Sequence, residues 1–395
     1  MATVSLPQRV GQPDGVTLPL AIVAAACAVL PLMWIAKLAM TAEPQFPDFF
    51  GLWTHGRYVL THVPATVYDD DALRAFQVGL GMPDGFFPYP YPPWALLVLA
   101  PLGALPYDVA RIAWLGVTFG AYVAVLGVWR WDRLVVLLLF AAPATAVGFL
   151  VGQNGFLTAA LMLGGLRLLP VRPLLAGALL AAIGYKPQFA IMVPFALLFG
   201  GHWRAILGAA LATIGLTLAS IAAFGPEIWP AWLGYMQHQG AALSAGRNDL
   251  LDMMPTVTSA VLLLGGGVTA AHLAQAAGVL AALAALWRVR GRHDPEAQAV
   301  LPLATLLATP YAFAYDLPMC CGALLAVIAA RLAAGGRFAP LELPLLLACI
   351  AMPAILPVRS GAACVMIPAL FAVACWAMSR RDALHARPLS NPVPA

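Results

Sequence analysis

The chain has 395 residues, 62% of them hydrophobic and only 10% charged, with a mean hydropathy of +0.86. A soluble domain carries about 25% charged residues, so this composition cannot cover a water-facing surface and excludes the soluble and disordered classes. The net charge of +4 is small and dispersed, which leaves no basic patch for nucleic acid.

Apolar runs of about 20 residues, the length that crosses a bilayer core, recur along the whole chain. They predict spans near 17–39, 108–128, 133–150, 155–169, 173–184, 187–200, 204–224, 267–288, 297–311, 313–332, 341–357 and 360–378. The first run is longer than a signal-peptide core and reads as an uncleaved span. Segment 92–104 is apolar but short and flanked by prolines, which suits a re-entrant or interfacial helix. The expected organisation is a tail at 1–16, one membrane domain at 17–378, and a tail at 379–395. Two long outer loops, about 40–107 and 225–266, interrupt the domain. With this layout, fourteen of the 21 Lys and Arg residues fall on the side of both termini. That asymmetry marks the termini as cytoplasmic.

The six cysteines (Cys27, Cys320, Cys321, Cys349, Cys364 and Cys375) sit in apolar runs without disulfide or metal spacing and read as small buried hydrophobes. His55, His62 and His238 lie in the outer loops, also without metal spacing, and read as solvated or structural. Asp69-Asp70-Asp71 follows Tyr68 and reads as a solvated turn or helix cap.

Five polar constellations remain, taken in chain order. Asp48 opens an aromatic run, Asp48-Phe49-Phe50-Gly51-Leu52-Trp53, just after the first span. Aromatics anchor at the membrane interface, and an acid held there suits a general base or a helix cap. Phe86-Phe87-Pro88-Tyr89-Pro90-Tyr91-Pro92-Pro93-Trp94 is neither helix nor sheet, because four prolines remove N–H donors. Tyr89 and Tyr91 offer flat faces to a sugar or lipid chain. Gly152-Gln153-Asn154-Gly155 places two amides in a turn between spans. Gly184-Tyr185-Lys186-Pro187-Gln188 puts a lysine at a proline break inside an apolar stretch, where an ionisable residue is a functional candidate by default. Thr309-Pro310-Tyr311-Ala312-Phe313-Ala314-Tyr315-Asp316 sets another acid between apolar helices. With the predicted sidedness, Asp48, Tyr89, Tyr91, Gln153, Asn154, Lys186 and Asp316 all fall on one face. By the same reading, Arg130–Arg133, Arg288–Arg292 and Arg380–Arg381 are positive-inside anchors.

This ordered set resembles glycosyltransferase family 87, polyprenol-phosphate-mannose-dependent mannosyltransferases of the GT-C superfamily. The matching positions are Asp48-Phe49, Tyr91-Pro92-Pro93, Lys186-Pro187 and Pro310-Tyr311 with Tyr315-Asp316. The amide turn departs from the family's Gln-x-Asn, since Gln153 and Asn154 are adjacent. Some members carry a histidine in the late motif, where this chain has Ala314-Tyr315-Asp316. The resemblance implies an all-α integral membrane bundle of about 10–12 transmembrane helices with interfacial helices in the first outer loop. It implies transfer of a hexose, usually mannose, from a polyprenyl-phosphate-linked donor to an extracytoplasmic lipid or glycan acceptor at a bacterial inner membrane. In that scheme Asp48 is the base and Lys186 meets the donor phosphate. Tyr89, Tyr91, Gln153, Asn154, Gln188, Tyr311 and Asp316 contact substrate, with Asp316 orienting either the substrate or Lys186. No metal or other cofactor takes part. The rival readings are a transporter or flippase of a lipid-linked sugar, and a non-catalytic scaffold. A transporter is expected to show repeated halves with matched broken helices, and the sequence has one clear break, at Lys186-Pro187.

Overall fold

The structure is a computed structural model that describes residues 14–40, 48–82, 86–244, 251–358 and 361–380. Of the basic residues counted to either side, Arg9, Arg247, Arg359, Arg381 and Arg387 fall outside the described residues, as do Glu43, Pro47, Asp84 and Asp249 of the two long loops.

Among the described residues the secondary structure is helical throughout. In chain order the helices are α1 (Asp14–Met40), α2 (Phe49–Thr61), α3 (Asp70–Gly79), α4 (Leu96–Gly103), α5 (Tyr107–Leu126), α6 (Arg133–Ala141) and α7 (Pro143–Val151). Next come α8 (Gly155–Leu168), α9 (Pro173–Ala182), α10 (Pro187–Ala190), α11 (Val193–Phe199), α12 (Trp203–Phe224) and α13 (Ile228–Ser244). The chain continues with α14 (Val257–Leu263), α15 (Val268–Arg288), α16 (Pro295–Ala308), α17 (Pro318–Ala333), α18 (Glu342–Ala351) and α19 (Ala362–Arg380).

Among the described residues four helices are long and apolar enough to cross a bilayer alone: α5, α12, α15 and α19. The α6–α7 pair, bent by 46°, makes a fifth. Seven shorter apolar helices accompany them. The predicted spans at 155–169, 173–184, 187–200 and 297–311 are thus shorter than a full crossing. Prolines and glycines explain part of this: Pro173, Pro187 and Pro295 each start a helix, as the missing N–H favours. Lipid-facing surface is plain on α12, where Leu207, Leu211, Ile214 and Leu218 form an exposed apolar stripe at helical spacing. In water such a stripe would be unfavourable, and in a bilayer it is solvated. The chain is an all-α integral membrane protein.

Close helix pairs rest on glycines. Gly177 of α9 faces the Ala205 carbonyl of α12, and Gly208 of α12 faces the Leu174 carbonyl of α9; a Cβ on either would lie 1.8 or 2.1 Å from that oxygen. Small residues at such a seam let helices approach where the hydrophobic effect offers no drive. Segment 92–104 forms a short helix, α4, packed on α2. A Cβ at Gly56 would meet the Leu99 carbonyl at 1.9 Å, and one at Gly103 would meet the Arg57 nitrogen at 2.1 Å. The described part of segment 225–266 is largely helical as well, which hydropathy alone did not reveal. Its α13 lies over the first loop: Trp232 donates to the Pro90 carbonyl (3.3 Å), and the Tyr235 ring packs on Tyr68 (5.9 Å).

All six cysteines are buried and free, and Asp69 caps α3 by accepting from the Asp71 and Ala72 amides. Gly56→Ala should lower stability by about 1–3 kcal/mol, because a backbone oxygen cannot move aside for the new methyl. Gly116→Ala on α5, with open space around it, should be neutral or slightly stabilising. Thermal unfolding of the two variants in detergent compares them directly.

Candidate active site

Three segments meet at one end of the bundle, and two glycines let them do so. Gly152 ends α7 with φ +68°, a left-handed conformation that few side-chain-bearing residues adopt. A Cβ there would sit 2.7 Å from the Phe49 Cβ. Gly155 opens α8, and a Cβ there would lie 1.6 Å from the Tyr315 carbonyl. The Gln153-Asn154 turn is therefore pressed between the start of α2, next to Asp48, and the short turn that carries Asp316. Trp114 of α5 fixes it from behind by donating to the Gly152 carbonyl (3.0 Å).

Lys186 sits where the helix breaks. A 3₁₀ turn, Ile183–Tyr185, ends α9, and Pro187 starts α10. Tyr185 anchors the break to α8: its hydroxyl donates to the Asn154 carbonyl (3.1 Å) and shares a bond with the Thr158 hydroxyl (2.5 Å). The Lys186 side chain is 3% exposed and donates to Asp316 Oδ1 at 2.5 Å. Asp316, 2% exposed, uses its other oxygen to accept from the Phe313 amide (3.0 Å). It does not cap α17, whose N-cap residue is Leu317. The Lys186 ammonium also lies over the rings of Tyr315 (4.9 Å) and Phe189 (5.4 Å), positions that favour a cation. An ammonium has three N–H groups, and the carboxylate takes one.

Asp48 is half-buried in the turn before α2. It occupies the N-cap position of α2, yet its side chain makes no capping hydrogen bond. The carboxyl instead faces the Gln153 amide and lies within electrostatic reach of Lys186 and Asp316. Gln153 is oriented for this. Its Oε1 accepts from the Asn154 amide (3.1 Å) and the Tyr91 hydroxyl (3.4 Å), which turns its NH₂ toward Asp48. Burial pushes the Asp48 carboxyl up to about 6, while the Lys186 charge and the Gln153 amide act in the opposite direction. A carboxylate so tuned changes charge near neutral pH, where a general base is most useful.

The tyrosines divide. Tyr91 is nearly buried and lines a cavity of about 160 Å³ whose other walls include Leu52, Trp94, Leu99, Trp114, Leu157 and Tyr185. Asn154 reaches the same cavity, and its Oδ1 is buried with no hydrogen-bond partner. The Trp94 indole N–H is likewise buried and unpartnered there. Tyr311 is half-buried, with both Asp48 and Asp316 acting on its hydroxyl. Tyr89 differs from its expected role. It is 0% exposed, packs against His55, Tyr68 and Tyr91, and donates to the Pro92 carbonyl (3.3 Å). It supports the loop and offers no face to a ligand. Gln188, half-buried on α10, has no described hydrogen bond to the cluster.

Sequence spacing did not single out His55, Gln77, Tyr185 or Tyr315 as site residues. His55 is buried and held to about 4 by that burial, so its ring is neutral and Nε2–H donates to the Phe87 carbonyl (2.9 Å). Gln77 of α3 bonds both the carbonyl and the amide of Phe87. Together they pin the proline-rich segment to α2 and α3. Partners this far apart in sequence leave no local pattern. Tyr185 and Tyr315 flank Lys186 and Asp316 in the chain, and that adjacency was the available signal.

Removing one member of the Lys186–Asp316 pair leaves a buried charge without its partner. Lys186→Met and Asp316→Leu should each destabilise by about 3–5 kcal/mol, and the double variant by less than either. A double-variant cycle on thermal unfolding measures this; additive losses would mean the two charges do not act as a pair.

The family model described as glycosyltransferase family 87 matches residues 89–310. The match includes the proline-tyrosine segment, the amide turn and Lys186, while Asp48 and Asp316 flank it. No curated protein and no solved structure matches the chain. With more than half of its length matched and its polar cluster at the end of a helical membrane bundle, the chain belongs to glycosyltransferase family 87.

Proposed function

We propose that this membrane glycosyltransferase moves a hexose, mannose first among the candidates, from a polyprenyl-phosphate donor to a lipid or glycan hydroxyl, with inversion. The observation that carries the proposal is one cluster that combines a base and a cation: Asp48 facing the Gln153 amide, with Lys186 and Asp316 within its field.

The acceptor O–H gives its proton to the Asp48 carboxylate as its oxygen attacks the anomeric carbon. The bond from that carbon to the donor phosphate breaks, and its electron pair stays on the phosphate oxygen. Positive charge develops on the sugar ring, as at other glycosidic carbons. Negative charge grows on the departing phosphate, and the Lys186 ammonium, held in place by Asp316, stabilises it through its remaining N–H groups. In a poorly hydrated site such a fixed charge is worth far more than in water. A single displacement inverts the anomeric centre. No step passes through a metal in this scheme. Asn154 Oδ1 and the Trp94 N–H supply a buried acceptor and donor for substrate, and the apolar cavity beside them suits an isoprenoid or acyl chain.

The GT-C-type arrangement and the extracytoplasmic site belong to the same proposal. Charge distribution supports the sidedness. Arg130, Arg172, Arg204 and Arg288 all lie at helix ends remote from Lys186, the arrangement expected when those ends are cytoplasmic.

The purified enzyme in liposomes should transfer label from polyprenyl-phosphate mannose to membrane lipids supplied in the liposomes. Asp48→Asn should lose turnover by at least about a hundredfold while unfolding at the wild-type temperature. The base must be ionised, so kcat/KM should rise with pH through about 6 and level off above it. Full activity in Asp48→Asn removes Asp48 from the base role. Movement of labelled lipid across the bilayer without transfer would instead favour a flippase.

A further inference from the structure

The far end of the bundle carries a second cavity, and this one is polar. α8 starts at Gly155 against the Tyr315 carbonyl, and Arg167 lies twelve residues along it, about 18 Å away at 1.5 Å per residue. α16 and α17 give the same order, with Pro295 and Ala333 at the remote end and Ala308 and Pro318 near the active site. At that remote end a cavity of about 300 Å³ opens between α5, α8, α16 and α17. That volume is the lower end of the range for ligand pockets, roughly 300–1,000 Å³.

Its chemistry is one-sided. Arg130 and Arg167 line it, and no carboxylate does among the described residues. The nearby charges are already paired: Arg331 with Glu296, and Arg292 with Asp294. Arg167 donates to the Val125 carbonyl at the end of α5. Neither Arg130 nor Arg167 has a described ion pair, and their charges act on one another unfavourably. An anion between them would remove that repulsion, and guanidinium groups match phosphate oxygens in fork geometry. Behind the arginines the wall is apolar, with Leu126, Leu163, Ala323 and Ala326. Trp131 also lines the cavity, and the neighbouring Trp129 is 68% exposed; tryptophans prefer the headgroup level of a bilayer. A headgroup anion joined to an apolar chain satisfies both halves of this lining.

We propose that this cavity binds the phosphate of an anionic phospholipid, with Arg130 and Arg167 on the phosphate and the alanine-rich face of α17 against the acyl chain. The site is separate from the Lys186 cluster and does not depend on the reaction assigned there.

Native mass spectrometry of the full chain, with phosphatidylglycerol and phosphatidylcholine added in equal amounts, tests it. Wild type should retain phosphatidylglycerol in preference, and Arg130→Gln should reduce that preference about fivefold, as expected for one basic residue at an anionic headgroup. Ala326→Leu fills the cavity while leaving both arginines, and should reduce retention as well. A separate arm adds inorganic phosphate alone. Equal retention of the two lipids by wild type would overturn the proposal. So would a phosphatidylglycerol preference that survives in both variants, which would mean a generally basic surface. Saturation by inorganic phosphate with no lipid retained would overturn the lipid and leave a soluble phosphate in its place.

Discussion

A lysine and an aspartate, both almost wholly excluded from solvent, form an ion pair inside a largely apolar bundle. Neither charge would be tolerated alone at that depth. Much of the surrounding structure serves to keep them together. Pro187 breaks the helix so that Lys186 can leave the helical path, and the Tyr185 hydroxyl ties the break to α8. The Phe313 amide holds Asp316. Two aromatic faces flank the ammonium. A pair kept for stability alone could be replaced by packed hydrophobes at little loss. Its position beside a third charged group, Asp48, fits a site that must hold a cation ready for an anionic ligand.

The amide turn is the mechanical centre of that site. Gly152 and Gly155 remove the two side-chain positions that would keep the turn from Phe49 and from the Tyr315 backbone. The same compression brings Gln153 to Asp48 and leaves Asn154 Oδ1 buried without a partner. An unpaired buried oxygen is unfavourable by about 1–3 kcal/mol. Such an oxygen, next to an apolar cavity and an unpartnered indole N–H, is consistent with a place that substrate completes. At the opposite end of the same helices arginines predominate, two of them paired with Glu296 and Asp294, so the bundle is polarised from end to end.

Much of this was legible before the structure. Composition gave the membrane class, and the five polar constellations include Asp48, Tyr91, Gln153, Asn154, Lys186, Tyr311 and Asp316, which the fold brings together, but also Tyr89 and Gln188, which it does not place in the cluster. Asp316 and Lys186 lie 130 residues apart; each stood out locally as an ionisable group among apolar neighbours, and the family resemblance left Asp316 to orient either substrate or Lys186, a choice that only the fold's close ion pair informs. Tyr89 and Tyr91 are alternate positions in one proline-rich run, and only the fold distinguishes the buried support from the cavity wall. Hydropathy overestimated how many apolar runs make a full crossing by themselves, because prolines and glycines divide them into helices of 7–14 residues such as α8, α9 and α11. It also passed over α13, which falls in the segment read as the second long loop and packs on the first through Trp232 and Tyr235.

The most direct measurement is a cryo-EM structure of the enzyme with a non-transferable polyprenyl-phosphonate sugar bound. The account predicts the phosphonate within hydrogen-bonding distance of Lys186 Nζ, the anomeric carbon open to attack from the Asp48 side, and the isoprenoid along the cavity of Tyr91 and Trp94. A phosphonate seated away from Lys186, with the Lys186–Asp316 pair closed and the sugar remote from Asp48, would contradict it.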